Sequence, residues 1–140
     1  MKIPLFDIDG TLVKTANPVH KTAFSYAFEN VYKIKAIDNE INPEGMTDNQ
    51  IIVEVLKIHG LKEDFIKKNI KQATETINRY FHQHINDAEI VVLDGVIDLL
   101  TSLKAKDAVL GLLSGNVEGI AWAKLQRAEI KKYFDFGAFG

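Results

Sequence analysis

The stretch "PLFDIDGTLV", which runs from Pro4 to Val13, decides the fold of this protein. Apolar residues precede two aspartates that lie two positions apart, and Gly10 and further apolar residues follow them. The pattern indicates a short buried strand that is bounded by Gly10. Because side chains alternate between the two faces of a strand, Asp7 and Asp9 point to the same side. Two carboxylates at the end of a buried strand are costly unless something compensates them, so the stretch predicts a site that binds a cation.

The region from residue 14 to about residue 90 has helical periodicity. Asn17 and Pro18 predict a helix start, because Asn caps helices and Pro suits the first helical position. Thr47 and Gln50 in "TDNQ" form a predicted capping box. The predicted inward residues of the first and last helices of this region are Val19, Ala23, Phe24, Ala27, Phe28 and Val31, and Leu61, Phe65, Ile66, Ile70, Ala73, Ile77, Tyr80 and Phe81. We therefore predict one strand followed only by helices up to residue 90.

Helices and strands alternate after residue 90. Asp94 is the predicted cap of a helix, and "AVLGLLSGN" is a predicted strand that ends at Ser114. Asn116 is the predicted cap of the next helix, and "YFDFGAFG" is a predicted third strand. Apolar strands that alternate with helices are typical of a parallel sheet with helices on its faces.

The order of these elements predicts an α/β protein with a partial parallel sheet of about three strands. We expect residues 1–13 and 91–140 to form the core that contains the sheet. Residues 14–90 lie between the first strand and the rest of the core, so we expect them to form an inserted helical cap.

Composition and charge exclude several classes of protein. The net charge of −2 among 140 residues argues against a nucleic-acid partner, which requires a basic surplus. No apolar run approaches the roughly 18 residues of a membrane span. The chain contains 0 cysteines, so disulfides and thiol chemistry are excluded. The start "MKIPLFDIDG" lacks the apolar segment of a signal peptide, and we expect a cytoplasmic protein.

The predicted site lies where two strands end. The carboxyl ends of parallel strands face one crevice, which would bring Asp7, Asp9 and Ser114 together. One aspartate can attack phosphorus and the other can exchange protons, while Mg²⁺ would neutralise both. Gly10 allows a sharp turn beneath a phosphate, and the backbone N–H groups of Gly115 and Asn116 suit a phosphate oxygen. The residues therefore predict phosphoryl transfer.

The same residues resemble the haloacid dehalogenase-like hydrolase superfamily, and within it phosphoglycolate-phosphatase-like enzymes with a helical cap. The segments "DIDGTLV", "EGMTDNQII" and "SGNVEGIAWAKLQRAEIKKYFDFGAFG" carry the resemblance. It implies a Rossmann-like core and a Mg²⁺-dependent phosphatase that acts on small phosphorylated metabolites through an aspartyl-phosphate. It also implies that Asp7 is the nucleophile and a metal ligand, that Asp9 is the general acid/base and binds metal through its carbonyl, and that Ser114 holds the phosphoryl group.

The chain departs from that family pattern after the third strand. The family has two further motifs there, one with a lysine for the phosphoryl group and one with acidic metal ligands, and this chain ends at Gly140 before either. Lys131 and Lys132 come too early to take the lysine role. We therefore expect a site without that lysine, weak Mg²⁺ binding and poor catalysis by these 140 residues alone. We also expect strand one to be an exposed edge that self-associates or pairs with a missing C-terminal segment.

Other interpretations stay open at this stage. The chain could be a non-catalytic remnant that binds metal or phosphate weakly, or a phosphomutase of the same family. A dehalogenase is disfavoured, because phosphoryl chemistry uses the second acid, Asp9. A calcium-binding loop is rejected, because Thr11, Leu12 and Pro18 occupy positions that such a loop reserves for a ligand, a glycine and a glutamate. His20 could border the cap hinge and face the site, although a half-buried helix histidine is the favoured interpretation.

Overall fold

A computed structural model describes residues 2–140, and within them it contains five strands and five α-helices. The strands are β1 (Leu5–Phe6), β2 (Val13–Thr15), β3 (Ile90–Val92), β4 (Gly111–Ser114) and β5 (Phe136–Phe139). The helices are α1 (Val19–Tyr32), α2 (Asp48–Ile58), α3 (Glu63–Gln83), α4 (Val96–Lys104) and α5 (Glu118–Arg127). Across residues 2–140, no helix combines the length and apolar character needed to cross a membrane.

Three strands form a parallel sheet in the order β1-β4-β5. Its register places Gly111 between Leu5 on one side and Phe136 on the other. The α/β class and the three-stranded parallel sheet predicted from the sequence are confirmed. Strand β1 lies at one edge of this sheet, as expected, and association through that edge stays a prediction.

The prediction that no second strand precedes residue 90 is wrong. Strand β2 follows the first loop and pairs antiparallel with β3, which joins Val13 to Val92 and Thr15 to Ile90. Each strand has three residues, too few for an alternating pattern to be visible in the sequence. Strand β2 leads into the helical region and β3 leads out of it, so the two strands lie side by side and pair.

The helical region has a core of its own, built mainly by α1 and α3. The side chains of Phe28 and Phe81 are fully buried in it. Most inward positions predicted from the periodicity are buried or partly buried, but Phe65 is 51% exposed. Its neighbour Ile66 is fully buried, and successive helical residues point about 100° apart, so only one of the two faces inward.

One of four predicted helix caps has the predicted geometry. The capping box that starts α2 is confirmed: the Thr47 N–H donates to Gln50 Oε1 at 2.8 Å, and the Gln50 N–H donates to Thr47 Oγ1 at 3.2 Å. The predicted caps Asn17, Asp94 and Asn116 are wrong. The residues directly before α1, α4 and α5 are Pro18, Gly95 and Val117, and none of them makes a side-chain cap bond. Each predicted cap lies one residue too early to reach the free N–H groups of its helix.

The parallel sheet has two unlike faces. One face contributes Leu112 to a buried cluster that also contains Ile8, Leu110 and Leu125. The opposite face exposes Leu5, Leu113 and Phe136. At the carboxyl end of this sheet, the strands give way to the loops that form the cleft described next.

Candidate active site

The loop after β1 is a tight turn that presents two carboxylates. The N–H groups of Leu12 and Val13 donate to the carbonyl of Ile8 at 2.9 and 3.1 Å. Gly10 has a φ of +78°, a left-handed conformation that costs glycine little. The side chain of Ile8 is fully buried, whereas Asp7 and Asp9 are exposed and line one cleft. The alternation predicted for this stretch therefore places both aspartates on the cleft side.

The loop after β4 binds to the loop after β1 through Asn116. The Asn116 side-chain amide donates to Asp9 Oδ2 at 2.8 Å and to Ser114 Oγ at 2.7 Å. The Asn116 backbone N–H, which we expected to be available to phosphate, donates to Ser114 Oγ at 3.1 Å. Asn116 therefore joins the two loops rather than capping α5.

A lysine that the sequence analysis did not single out lies at the centre of the site. Lys124 Nζ donates to both carboxylate oxygens of Asp9 at 2.9 Å and to Asn116 Oδ1 at 2.9 Å. Lys124 is 2% exposed. The site therefore contains a lysine, but one that precedes the third parallel strand and so differs from the motif lysine that the family places after it.

A sequence signal for Lys124 was present. Its neighbours on the same face of α5 are the buried residues Ile120 and Ala121, four and three positions earlier, and the adjacent Leu125 is buried as well. A lysine inside an apolar stripe either has a buried partner or extends toward an opening. Lys131 and Lys132, the lysines weighed from the sequence, instead lie over the rings of Trp122 and Tyr133, with centroid distances of 5.7 and 5.4 Å.

The pKa of Asp9 lies below its usual value. Partial removal of the carboxylate from water acts to raise the pKa, but the positive charge of Lys124 and the hydrogen bonds from Asn116 and Lys124 outweigh that effect. The side chain of Asp9 remains 47% exposed to solvent. Asp9 is therefore held as a carboxylate that still faces the cleft.

The helical region contributes His20 and Asp48 to the same cleft. His20 Nδ1 lies 3.3 Å from Lys124 Nζ, and His20 Nε2 lies 3.3 Å from Asp48 Oδ2. The imidazole also stacks on the ring of Phe24 at a centroid distance of 5.2 Å. His20 is thus both a half-buried helix residue and a neighbour of the site, so the two interpretations of it are compatible.

Asp48 joins the start of α2 to the loop after β4. Its backbone N–H donates to the carbonyl of Gly115 at 2.8 Å, and its carboxylate accepts the Val117 N–H at 2.8 Å. The contact is close, since a Cβ atom on Gly115 would lie 2.6 Å from the carbonyl oxygen of Met46. Asp48 could not be recognised as a site residue from the sequence, because an acidic residue in the first turn of a helix behind a capping box already has a local role.

The strand ends and the helical region enclose a cleft of about 940 Å³. Every site residue named from the sequence lines it, namely Asp7, Asp9, Gly10, His20, Ser114, Gly115 and Asn116. The structure thus brings these residues together, while their chemical roles stay predictions.

Asp7 is the carboxylate of the site that is available to bind a metal ion. Within residues 2–140, no group of three or more His, Cys, Asp or Glu side chains is placed to hold a metal. Both carboxylate oxygens of Asp9 are engaged by Lys124 and Asn116. Asp7 accepts a hydrogen bond from the Ile8 N–H at 2.8 Å and is exposed, so its hard carboxylate oxygens fit a cation such as Mg²⁺.

Comparison with known proteins identifies the family of this chain. Residues 4–139 match the sequence model of the haloacid dehalogenase-like hydrolases. The chain is 27% identical over 143 residues to the phosphorylated carbohydrates phosphatase of Thermotoga maritima, an alignment that covers 100% of this chain and 62% of that protein.

Two crystal structures show the same fold. A predicted phosphoglycolate phosphatase from Haemophilus somnus superimposes with a TM-score of 0.66 at 22% identity, over 100% of this chain and 63% of that one. CbbY from Rhodobacter sphaeroides in complex with phosphate gives a TM-score of 0.59 at 19% identity, over 100% and 64%. The chain therefore spans less than two thirds of the length of these relatives.

Proposed function

The chain belongs to the haloacid dehalogenase-like hydrolase family, and on this basis we propose that it carries the active site of a phosphatase for small phosphorylated metabolites. The observation that carries the proposal is the exposed carboxylate of Asp7 at the end of β1, in the same cleft as Ser114 and Lys124. A carboxylate can attack phosphorus, a hydroxyl can hydrogen-bond the phosphoryl group, and an ammonium can offset its charge.

The proposed reaction has two displacements. In the first, a carboxylate oxygen of Asp7 attacks phosphorus, the bond to the leaving oxygen breaks, and that oxygen takes a proton from Asp9. In the second, water attacks the phosphorus of the aspartyl-phosphate, Asp9 accepts the proton of the water, and Asp7 is released. The ion pair with Lys124 favours the ionised form of Asp9 that accepts a proton. Donation in the first step therefore requires that this pair opens.

We propose Mg²⁺ as the cofactor, held by the Asp7 carboxylate and the main-chain carbonyl of Asp9. When bound, the ion would supply positive charge beside the phosphoryl oxygens. The chemistry of the available oxygens supports this proposal, because Mg²⁺ is usually bound by one or two carboxylates together with water and substrate phosphate.

The substrate class follows from the cleft. Its volume of about 940 Å³ suits a small organic molecule rather than a polymer. Lys14, Asn17 and Thr47 line it beside apolar residues such as Phe24 and Met46, so polar groups are available to the part of the substrate beyond the phosphate. The name of the Thermotoga maritima relative, a phosphorylated carbohydrates phosphatase, agrees with a leaving group that bears hydroxyls.

Covalent labelling tests the proposal. We expect that incubation with a ³²P-labelled sugar phosphate and Mg²⁺ leaves label on the protein, that hydroxylamine removes it, and that Asp7→Asn abolishes it. The matched control is Asp98→Asn, an exposed acidic residue on α4 that does not line the cleft. Label that persists in verified Asp7→Asn protein would disprove the assignment of the nucleophile.

Product analysis separates the alternative interpretations. Release of inorganic phosphate identifies a phosphatase, and transfer of label to a second sugar position identifies a phosphomutase. Phosphate binding without covalent labelling identifies a non-catalytic remnant. The cytoplasmic location stays a prediction from the sequence.

A further inference from the structure

Two adjacent residues in the segment between α1 and α2 reverse the usual distribution of apolar and charged side chains. Ile37 is 48% exposed, whereas Asp38 is 7% exposed. Large apolar side chains are usually buried and carboxylates are usually solvated, because removing a charge from water is costly. The segment therefore buries a carboxylate while it exposes an isoleucine, a local conflict of the kind that is expected at functional sites.

The carboxylate of Asp38 has no partner that compensates its burial. The other buried acid of the helical region, Asp48, accepts the Val117 N–H at 2.8 Å. Among residues 2–140, the side-chain hydrogen bonds and ion pairs of the segment around Asp38 are made by Glu40, and none reaches the Asp38 carboxylate. A buried polar group without a partner requires an explanation, and an absent ligand is one.

Glu40 fixes the backbone that carries Asp38. Its Oε1 accepts the Ile37 N–H at 3.0 Å, and its Oε2 lies 2.5 Å from His59 Nε2, directly after α2. Asp38 itself begins a short 3₁₀ helix, Asp38–Glu40. The position of Asp38 is therefore maintained by its neighbours and not by bonds of its own carboxylate.

Asp38 lies on the helical side of the cleft. It lines the cleft together with Phe24 of α1 and Ile51 of α2, which are buried apolar residues. Asp7 and Ser114, which we propose to contact the phosphoryl group, lie at the ends of β1 and β4. Asp38 is thus available to the remainder of the substrate, and a few polar groups in an apolar wall are what gives such sites their specificity.

The chemistry of a carboxylate restricts what it can bind. An ionised carboxylate only accepts hydrogen bonds, so its ligand must donate them. A carboxylate or a second phosphate on the substrate would meet a like charge in a poorly solvated wall. An ammonium would meet Lys14 and Lys21, which line the same cleft. Hydroxyl groups donate hydrogen bonds and carry no charge, so they fit this combination best.

We propose that Asp38 selects substrates whose leaving group bears hydroxyls and no negative charge. The inference rests on the proposed phosphatase function and narrows its substrates to phosphate esters of neutral polyols and sugars. Hydroxyls of the leaving group donate to the Asp38 carboxylate and replace the water that it loses on burial. Phosphate esters of carboxylic acids and bisphosphates are rejected, because their second anionic group opposes the same carboxylate.

Two ligands that differ at a single carbon test this selection. Glucitol 6-phosphate and 6-phosphogluconate share their carbon chain, but the end opposite the phosphate is a hydroxymethyl group in the first and a carboxylate in the second. Isothermal titration calorimetry in EDTA measures both affinities without metal or turnover. We expect the wild type to bind glucitol 6-phosphate about tenfold more tightly or better, since like charges in contact are strongly unfavourable.

Asp38→Asn keeps the shape of the side chain and removes its charge. We expect the preference for glucitol 6-phosphate to fall by about threefold or more, mainly because 6-phosphogluconate binds more tightly. The matched control is Asp64→Asn, which removes a charge from an exposed position of α3 outside the cleft and should leave the preference unchanged. A smaller change in Asp38→Asn, equal affinity of the wild type for the two ligands, or no binding of either would overturn the proposal.

Urea unfolding of the ligand-free proteins provides a second measurement. Because an unpartnered buried charge is unfavourable, Asp38→Asn should unfold at the same urea concentration as the wild type or at a higher one. A variant that does not fold, or that unfolds at a clearly lower urea concentration, would show that the carboxylate has a structural partner, and this result would also overturn the proposal.

Failure of the proposed function would look different. Absence of covalent labelling on Asp7, with the preference still dependent on Asp38, would refute the phosphatase and leave the selection by Asp38 in place. Labelling of Asp7 together with a preference that ignores Asp38→Asn would refute the role of Asp38 alone.

Discussion

The two sides of the cleft are held by contacts of different kinds. On the strand side, hydrogen bonds of 2.8 to 2.9 Å join Asp9, Asn116 and Lys124. On the helical side, His20 approaches both Lys124 and Asp48 at 3.3 Å. Charge-assisted hydrogen bonds of short length are stronger and more directional than contacts at the longer distance. The strand side is therefore joined by short charge-assisted bonds. On the helical side, His20 meets it at longer range, while Asp48 anchors the start of α2 to the loop after β4 at 2.8 Å.

The difference has a functional consequence. Groups that react must be held in place, whereas groups that select a substrate can approach after it binds. Substitutions on the strand side should therefore lower the rate of the chemical step. Substitutions on the helical side should change substrate affinity and stability, and the predictions below test that division.

The largest expected effect is that of Asp7→Asn on the strand side. Removing the nucleophile should lower kcat by about 10⁴-fold or more, because the covalent route is lost. Stability should change by less than about 0.5 kcal/mol, since the carboxylate is exposed. Steady-state phosphate release and urea unfolding measure both quantities, and a large stability loss would show that Asp7 has a structural role instead.

The next effect is that of Asp9→Asn on turnover. Loss of the proton-transfer group should lower kcat by about 10²- to 10⁴-fold. Leaving groups of low pKa need little protonation, so a nitrophenyl phosphate should lose less rate than a sugar phosphate. Equal losses for both substrates would contradict the role of Asp9 as the acid.

Asp48→Ala tests the attachment of the helical side. The substitution leaves the Val117 N–H without its acceptor and should lower the free energy of unfolding by about 1–3 kcal/mol. KM should rise more than kcat falls, because Asp48 orders the loop without reacting. Asp64→Ala, an exposed acidic position on α3, is the control. A fall in kcat with unchanged KM would instead show that Asp48 acts in the chemical step, like the residues of the strand side.

Thr47→Ala should have a smaller effect, confined to the start of α2. Loss of the hydroxyl that accepts the Gln50 N–H should lower the free energy of unfolding by about 1 kcal/mol. Thr47→Ser keeps the acceptor and should recover most of the loss. Urea unfolding of the three proteins measures the difference, and equal stability of Ala and Ser variants would show that the capping bond contributes nothing.

The smallest expected effect is the pH dependence that Asp9 confers on stability. Because folding lowers the pKa of Asp9, its contribution is complete above the unfolded value of about 3.8 and is lost as the pH falls through the folded value. Solvent screening at its exposed carboxylate keeps the contribution small. Below about pH 4, the free energy of unfolding of the wild type should therefore fall relative to that of Asp9→Asn. A difference that is constant between pH 6 and pH 3 would contradict this prediction.

The sequence by itself determined the elements that are stabilised by residues close together along the chain. The capping box of Thr47 and Gln50 involves residues three apart, and the turn at Gly10 involves residues 8–13. The apolar spacing of α1 and α3 likewise acts within one or two turns. Propensity and periodicity describe such short-range interactions, so these elements, and the placement of Asp7 and Asp9 at the end of β1, were predictable.

Only the tertiary structure decided which distant side chains meet. The bond from Lys124 to Asp9 joins residues 115 positions apart, and that from Asn116 to Asp9 joins residues 107 positions apart. The Asp48 contact with Val117 spans 69 positions. Each of these residues had a plausible local role, as a surface lysine, a helix cap or a first-turn acid. Their actual partners follow from how α2 and α5 pack around the strand ends, because packing sets distances that spacing along the chain does not contain.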